Sequence, residues 1–440
     1  MRTPERHRGT GYALLAALAA VAVLVSAAIF VGAGGLRGGA AFERGPREAH
    51  GTAAPATAGQ WIATWGTAPS AAEPAAGRGF AGTTVRNAVH ASVGGTAVRI
   101  RLSNLYGNRP LAVTHASIAL AARPGGPAAE DGTMRRLTFD GQPTATVPAG
   151  QALTSDPVLL AVPDAAGLLV STYSPTSSGP ATFHYQARQT SYLAHGDQTE
   201  DPGAAYTLKT PFWRYLTGVD VWTQQAQGTV VAFGDSITDG VNSTPNANHR
   251  WPDFLAARLR EEPGAPRYGV VNAGISGNRV LLGNKGPAPQ NNPSALDRFD
   301  RDVLDRSGVR TVVVLLGVND ILRSPRQTDP HRIVAGLEQL VERAHRRGLR
   351  VVGSTLMPFA GHSGPQQNAV RQGVNELIRA GGVFDVLVDL DAAMRDPAAP
   401  QRLKAAYDSG DHLHPNDAGY RHIARTIDLS ALRPSTVTAL

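Results

Sequence analysis

Hydrophobic and polar positions follow three different rhythms along the chain. The first is unbroken. No charged residue occurs from Thr10 to Leu36, and Tyr12 to Val31 is rich in Ala, Leu and Val. Twenty such residues suffice to span a hydrocarbon layer of about 30 Å as a helix. Arg2, Arg6 and Arg8 precede the stretch, and Ala28, Ala33 and Ala40 offer small residues for cleavage. Residues 1–33 therefore read either as a signal peptide or as an N-terminal membrane anchor, with residues 11–33 as the tether. A signal peptide would be a long one, since the usual apolar region is about 7–15 residues. Both readings place the remainder outside the cytoplasm, secreted or held at the membrane, because the flanking cations stay inside. Residues 34–60 are Gly, Ala, Pro and scattered charges, a composition that predicts a flexible linker.

The second rhythm is an alternation of two. Val98, Ile100 and Leu102 alternate with Arg99, Arg101 and Ser103, the pattern of a half-buried strand. Thr83–Val93 and Thr96–Ser103 flank Gly94-Gly95, which reads as a hairpin. Leu111–Leu120, Val158–Val162, Leu168–Tyr173, Thr182–Tyr192 and Val219–Trp222 are further candidate strands. Turn clusters such as Arg123-Pro124-Gly125-Gly126 separate them. Many short strands without an amphipathic helix predict a β-sandwich accessory domain over 61–223. Trp213, Tyr215 and Trp222 could form a sugar platform, but core packing is the commoner use of such rings.

From Gln227 the rhythm changes again. Apolar runs at Thr229–Phe233, Tyr268–Asn272, Thr311–Leu316, Arg350–Thr355 and Val386–Leu390 alternate with helical segments. These segments are Trp251–Arg260, Ser294–Asp305, Pro330–Arg347 and Gln366–Ala380, and another helix is expected after Pro415. Continuous runs such as Val312-Val313-Val314-Leu315-Leu316 suit parallel strands covered on both faces. Residues 224–440 thus predict a layered α/β domain.

Composition narrows the chemistry. The chain has 440 residues and no Cys, which removes thiolate nucleophiles, disulfides and Cys-ligated metals. The net charge of +7 suggests a nucleic-acid partner at first sight, yet no block of five or six like charges exists. Only Lys209, Lys285 and Lys404 are lysines; the other cations are dispersed arginines. No nucleic-acid partner is expected.

In open α/β sheets, ligands bind beyond the carboxyl ends of the strands. Polar segments follow the first three strands there: Gly234-Asp235-Ser236-Ile237, Asn272 to Arg279, and Gly317-Val318-Asn319-Asp320. A fourth, Asp411-His412-Leu413-His414-Pro415-Asn416, precedes the last helix. Together they can supply a nucleophile, a base, a group that orients the base, and donors for an oxyanion. Ser236 sits on a tight turn. His414 can take its proton, and Asp411, three residues earlier, can reach the other imidazole nitrogen. Gly277 allows a backbone N–H to come close to a substrate, and Asn319 can offer an amide N–H. Taken singly, each segment is an ordinary turn or cap. Asp235 and Asp320 read as acceptors for loop backbone groups. His412 should point away from Ser236, and His249, His345 and His362 read as surface or loop residues.

Residues of about 228–430 resemble the SGNH hydrolases, also called GDSL esterases/lipases. Gly234-Asp235-Ser236-Ile237, Asn272–Gly277, Gly317–Asp320 and Asp411–His414 are similar to that family's four blocks, in order. Ile237 replaces the nominal Leu. The resemblance implies a flavodoxin-like three-layer α/β/α sandwich with a parallel sheet. It implies Ser236, His414 and Asp411 as catalytic triad, and Ser236 N–H, Gly277 N–H and the Asn319 amide as oxyanion hole. It implies no metal and no cofactor. The nucleophile elbow of α/β-hydrolases is disfavoured, because position 238 is Thr rather than Gly. Trp61-Ile62-Ala63-Thr64-Trp65 and the Arg99–Pro110 segment resemble the front domain of bacterial exported members. Those members resemble acylhydrolases encoded beside plant-polysaccharide-degrading enzymes.

The expected function is a serine esterase acting through an acyl-enzyme on short-chain, acetyl-type esters, with carbohydrate esters included. Its partner would be a small-molecule or polysaccharide ester. An exported lipase or phospholipase of the same family is the alternative, and a non-catalytic carbohydrate-binding surface protein is another. Oligomeric state is left open by the sequence.

Overall fold

A computed structural model describes residues 59–74, 76–287 and 291–433. The expected leader of 1–33, and the linker apart from Gly59 and Gln60, lie outside the described residues. Gln60 already opens a strand, Gln60–Gly66. The described residues form one compact unit. Among the described residues, no helix is long and apolar enough to cross a membrane.

The C-terminal half carries a five-stranded parallel sheet. Its spatial order is Tyr268–Gly274, Gly228–Gly234, Val309–Leu315, Arg350–Ser354 and Val386–Val388. Numbered along the chain, that order is 2-1-3-4-5, the doubly wound arrangement of flavodoxin-like folds. Chain direction across the sheet reverses between the first and third strands, so a crevice opens at their carboxyl ends. The strands are apolar because helices cover both faces. Val231, Phe233, Val312 and Val314 face a core shared with the Pro330–His345 helix. Val230, Ala232, Val313 and Leu315 face one shared with Trp251–Glu261 and Asp417–Thr426. Each buried Val or Leu contributes about 1.5–3 kcal/mol of burial free energy.

The helix expected over Ser294–Asp305 is an α-helix, Ala295–Phe299, capped by Ser294 and continued as a π turn over Asp300–Leu304. This segment holds Arg298, which is 1% exposed. Its guanidinium donates to the carbonyls of Gly234 and Ala273, to Asn278 Oδ1 and to Asp302. A buried cation thereby ties the ends of the first two parallel strands together. Burial lowers the Arg298 pKa to about 10, with Asp302 opposing the shift. The group stays charged at neutral pH.

The first half of the described chain is antiparallel. One sheet runs in the order Gln60–Gly66, Leu216–Thr223, Gly95–Ser103, Val158–Val162, with Ala152–Thr154 also on Gly95–Ser103. A second has six strands centred on Thr83–His90 and Gly167–Ser174. Val98, Ile100 and Leu102 from the first sheet and Val85, Val89 and Val170 from the second share one core. Trp213 and Tyr215 are buried, so neither offers an open sugar platform. Trp222 packs edge-on against Trp61, with ring centroids 5.5 Å apart.

The hairpin expected at Gly94-Gly95 does not form. Thr83–His90 pairs with Gly167–Ser174 and Ser191–His195, whereas Gly95–Ser103 pairs with Leu216–Thr223. The glycines mark a crossing from one sheet to the other. A side chain on Gly94 would meet the Val162 carbonyl at 2.3 Å, and one on Gly95 the Trp222 carbonyl at 2.5 Å. Thr64 holds the approach to the crossing by accepting from Val93 N–H and donating to the Val93 carbonyl. Close backbone approach, not turn geometry, selects glycine here.

The antiparallel strands pack directly on the parallel sheet. Ala63 N–H donates to Thr229 Oγ1, and buried Arg306 donates to the carbonyls of Thr217 and Thr67.

Candidate active site

The four polar segments meet at the carboxyl end of the parallel sheet. Ser236 begins a single helical turn, Ser236–Asp239, directly after the first strand. Asp235 caps the turn by accepting from Ile237 N–H at 3.0 Å, and Gly240 ends it at φ 92°. The turn lies so close to the second strand that a side chain on Gly274 would meet Asp239 N at 2.3 Å. Ser236 itself is 7% exposed.

His414 reaches this serine across the sheet end. Its Nε2 lies 2.8 Å from Ser236 Oγ, and its Nδ1 lies 2.6 Å from Asp411 Oδ2. The loop makes the three-residue spacing work. Asp411 Oδ1 accepts from Leu413 N–H at 3.0 Å and His414 N–H at 2.8 Å, which turns Oδ2 toward the ring. Asn242 Nδ2 donates to the same Oδ2 at 3.1 Å. Burial pushes the Asp411 carboxyl upward, but the two backbone donors and His414 outweigh it and hold the pKa at about 2. Asp411 is therefore a carboxylate throughout the neutral range.

Asn319 lies in the short helix that follows the third parallel strand, and is 6% exposed. Its side-chain oxygen accepts from Arg323 Nε at 3.3 Å. That contact fixes which way the amide faces. The amide nitrogen is buried and makes no hydrogen bond. A buried donor without a partner is costly and uncommon. Gly277 has φ 77°, and a side chain there would run into the Arg323 guanidinium at 2.4 Å. The φ alone selects glycine.

The other acidic and histidine positions fall elsewhere. Asp320 accepts from Val280 and Leu281 N–H at 2.7 and 3.0 Å, which ties the second loop to the third. Burial raises its pKa to about 6, and that of Asp235 to about 7. His412 turns away at φ 63° and pairs with Asp408. His249 pairs with Asp417 and His345 with Asp385. His362 is exposed and contacts the Asp411 carbonyl at 3.1 Å. One buried histidine escaped the sequence reading: His184, 2.8 Å from Asp239 Oδ1. It sits in a short strand with no surrounding motif, and its partner is 55 residues away.

The candidate site is thus a set of loops at the carboxyl end of a parallel sheet, built without a nucleophile elbow. Residues 232–422 match the family described as GDSL-like Lipase/Acylhydrolase. That match supports a hydrolase domain on the parallel-sheet half of the chain. Among solved structures, a GDSL-like lipase from Bacteroides thetaiotaomicron VPI-5482 aligns at 19% identity and TM-score 0.34, over 47% of this chain and 88% of its own. An acetyl xylan esterase aligns at 22% identity and TM-score 0.34, over 45% and 96%. A family two carbohydrate esterase from Clostridium thermocellum, solved with cellohexaose, aligns at 16% identity and TM-score 0.33, over 79% and 90%. No curated protein matched the chain.

Proposed function

We propose that the protein is a serine esterase that removes short acyl groups, acetyl above all, from hydroxylated substrates such as carbohydrates. The observation that carries this reading is the hydrogen-bonded line Ser236 Oγ, His414 Nε2, His414 Nδ1, Asp411 Oδ2, at 2.8 and 2.6 Å. In the first step Ser236 Oγ attacks the ester carbonyl and its proton moves to His414 Nε2. The charge on the carbonyl oxygen is taken by Ser236 N–H, Gly277 N–H and the Asn319 amide. His414 then gives its proton to the departing alkoxide, leaving an acyl-serine. A water, deprotonated by His414, repeats the attack and frees the carboxylic acid.

The rim supports a hydroxylated substrate. Asn242 and His362 are exposed, with Ser409 and Arg323 half-buried beside them. Asn242 joins Ser409 and Asp411, and Arg323 covers Gly277. Such groups hydrogen-bond sugar hydroxyls.

A series of p-nitrophenyl esters from acetate to palmitate, beside acetate release from acetylated xylan, tests the reading. Turnover should fall steeply beyond short chains, and xylan should lose acetate. A palmitate preference with no acetate release would make the protein a lipase instead. Asn319→Ala removes one oxyanion donor, and kcat should fall by about 10²–10³-fold. Steady-state kinetics on p-nitrophenyl acetate reads this directly, and KM should change little because the bond strengthens only as charge develops.

A further inference from the structure

A buried polar chain runs from the antiparallel region to the loop that holds Gly277. His184, in the strand Thr182–His184, is 3% exposed, and Asp239 is 1% exposed. His184 Nδ1 lies 2.8 Å from the Ala68 carbonyl, and Nε2 lies 2.8 Å from Asp239 Oδ1. A carbonyl and a carboxylate only accept, so each ring nitrogen faces an acceptor. The other oxygen of Asp239 accepts from Ser276 N–H and from Ser276 Oγ–H, both at 2.8 Å. The next residue in the strand direction completes the grip: Tyr185 Oη donates to the Ser276 carbonyl at 3.2 Å. Burial pushes the Tyr185 phenol up to about 12, so it keeps its proton. Asn292 Nδ2 also reaches this carbonyl, at 3.4 Å.

The consequence follows from the planarity of the peptide bond. The Ser276 carbonyl and the Gly277 N–H belong to one peptide group and point in opposite directions. Whatever holds the carbonyl aims the N–H. Asp239 adds a second link, because it is the last residue of the turn that begins at Ser236. One carboxylate therefore joins the nucleophile's turn to the Gly277 loop, and His184 holds its other oxygen.

We propose that His184 and Tyr185 are positioning residues of the esterase, holding the Ser276–Gly277 peptide so that the Gly277 N–H faces the developing oxyanion. The antiparallel region then supplies part of the catalytic geometry. This inference rests on the esterase reading above.

The test uses the full chain and p-nitrophenyl acetate, with Ser236→Ala measured alongside. His184→Met removes both ring nitrogens and their contacts to Ala68 and Asp239. Its kcat should drop by about 10²-fold, the scale of an ångström-level misplacement, with KM nearly constant. Inhibition by an arylboronic acid, whose serine adduct is tetrahedral, should weaken in parallel with kcat. A merely structural role would not separate the boronate constant from KM. His184→Gln keeps a donor toward Asp239 and should recover most of the loss. Tyr185→Phe should lower kcat by about 10-fold, and it decides the matter if His184→Met does not fold. A folded His184→Met with wild-type kcat overturns the proposal. So does a loss confined to KM, or an unchanged Tyr185→Phe. Turnover that survives Ser236→Ala overturns the esterase reading itself, whereas a Ser236-dependent enzyme indifferent to His184 and Tyr185 overturns this inference alone.

Discussion

Ser236→Ala should lower kcat on p-nitrophenyl acetate by about 10⁴–10⁶-fold while leaving the fold intact. In the proposed mechanism the loss is large because the hydroxyl is the atom that forms the new bond, and nothing beside it can substitute. Thr238, the next hydroxyl along the turn, is fully buried and accepts from Trp251 Nε1 at 3.3 Å. Ser243 is held by its bond to the Gly240 carbonyl. The remaining rate should be water attack assisted by the oxyanion donors, on the order of 10³–10⁴ above the uncatalysed reaction. Thermal unfolding should move little, since the deleted oxygen leaves only His414 Nε2 to be solvated. Labelling by a fluorophosphonate probe should vanish in the same variant. An alanine variant that keeps its turnover and its label would remove Ser236 from the mechanism.

The parallel sheet was legible because its signal is local. Five apolar runs with helical segments between them give strand ends, and strand ends give the crevice. The candidate triad was legible for a different reason: each member sits in a short segment with its own neighbours, Gly234-Asp235 before the serine and Asp411 three residues before the histidine. The antiparallel half was read less well, and the Gly94-Gly95 crossing shows why. A pair of glycines between alternating segments looks the same whether the chain turns back on its own sheet or crosses to another. The difference lies in what each backbone meets, the Val162 and Trp222 carbonyls, which are 68 and 127 residues away. His184 was invisible on the same grounds. Its two partners, Ala68 and Asp239, lie 116 residues before it and 55 after it, and nothing next to it marks its burial. The unpartnered amide of Asn319 likewise needs the Arg323 contact to be seen. Local pattern encodes elements and motifs; the support beneath the site is encoded in long-range contacts.

Asp411→Asn should lower kcat by about 10⁴-fold, and it should be worse than Asp411→Ala. The asymmetry comes from the loop. Oδ1 accepts from the N–H groups of Leu413 and His414, and an asparagine must keep its oxygen there, because an NH₂ group would face two donors. Its nitrogen is then forced toward His414 Nδ1. That contact requires Nδ1 to accept, which places the ring proton on Nε2, where it faces Ser236 Oγ. In the proposed mechanism His414 can then no longer take the serine proton. The Asn242 amide, which now donates to Oδ2, would meet the new NH₂ and strain the loop further. Alanine removes the oxygen but imposes no tautomer, so a fraction of the ring stays competent and the loss should be smaller by about tenfold or more. Because Asp411 titrates at about 2, the wild-type enzyme should show no activity change assignable to this carboxyl between about pH 4 and 8. Rates for the two variants on p-nitrophenyl acetate at one neutral pH are enough to compare them. Equal losses in Asn and Ala would show that Asp411 acts by charge alone and not by fixing the proton on Nδ1.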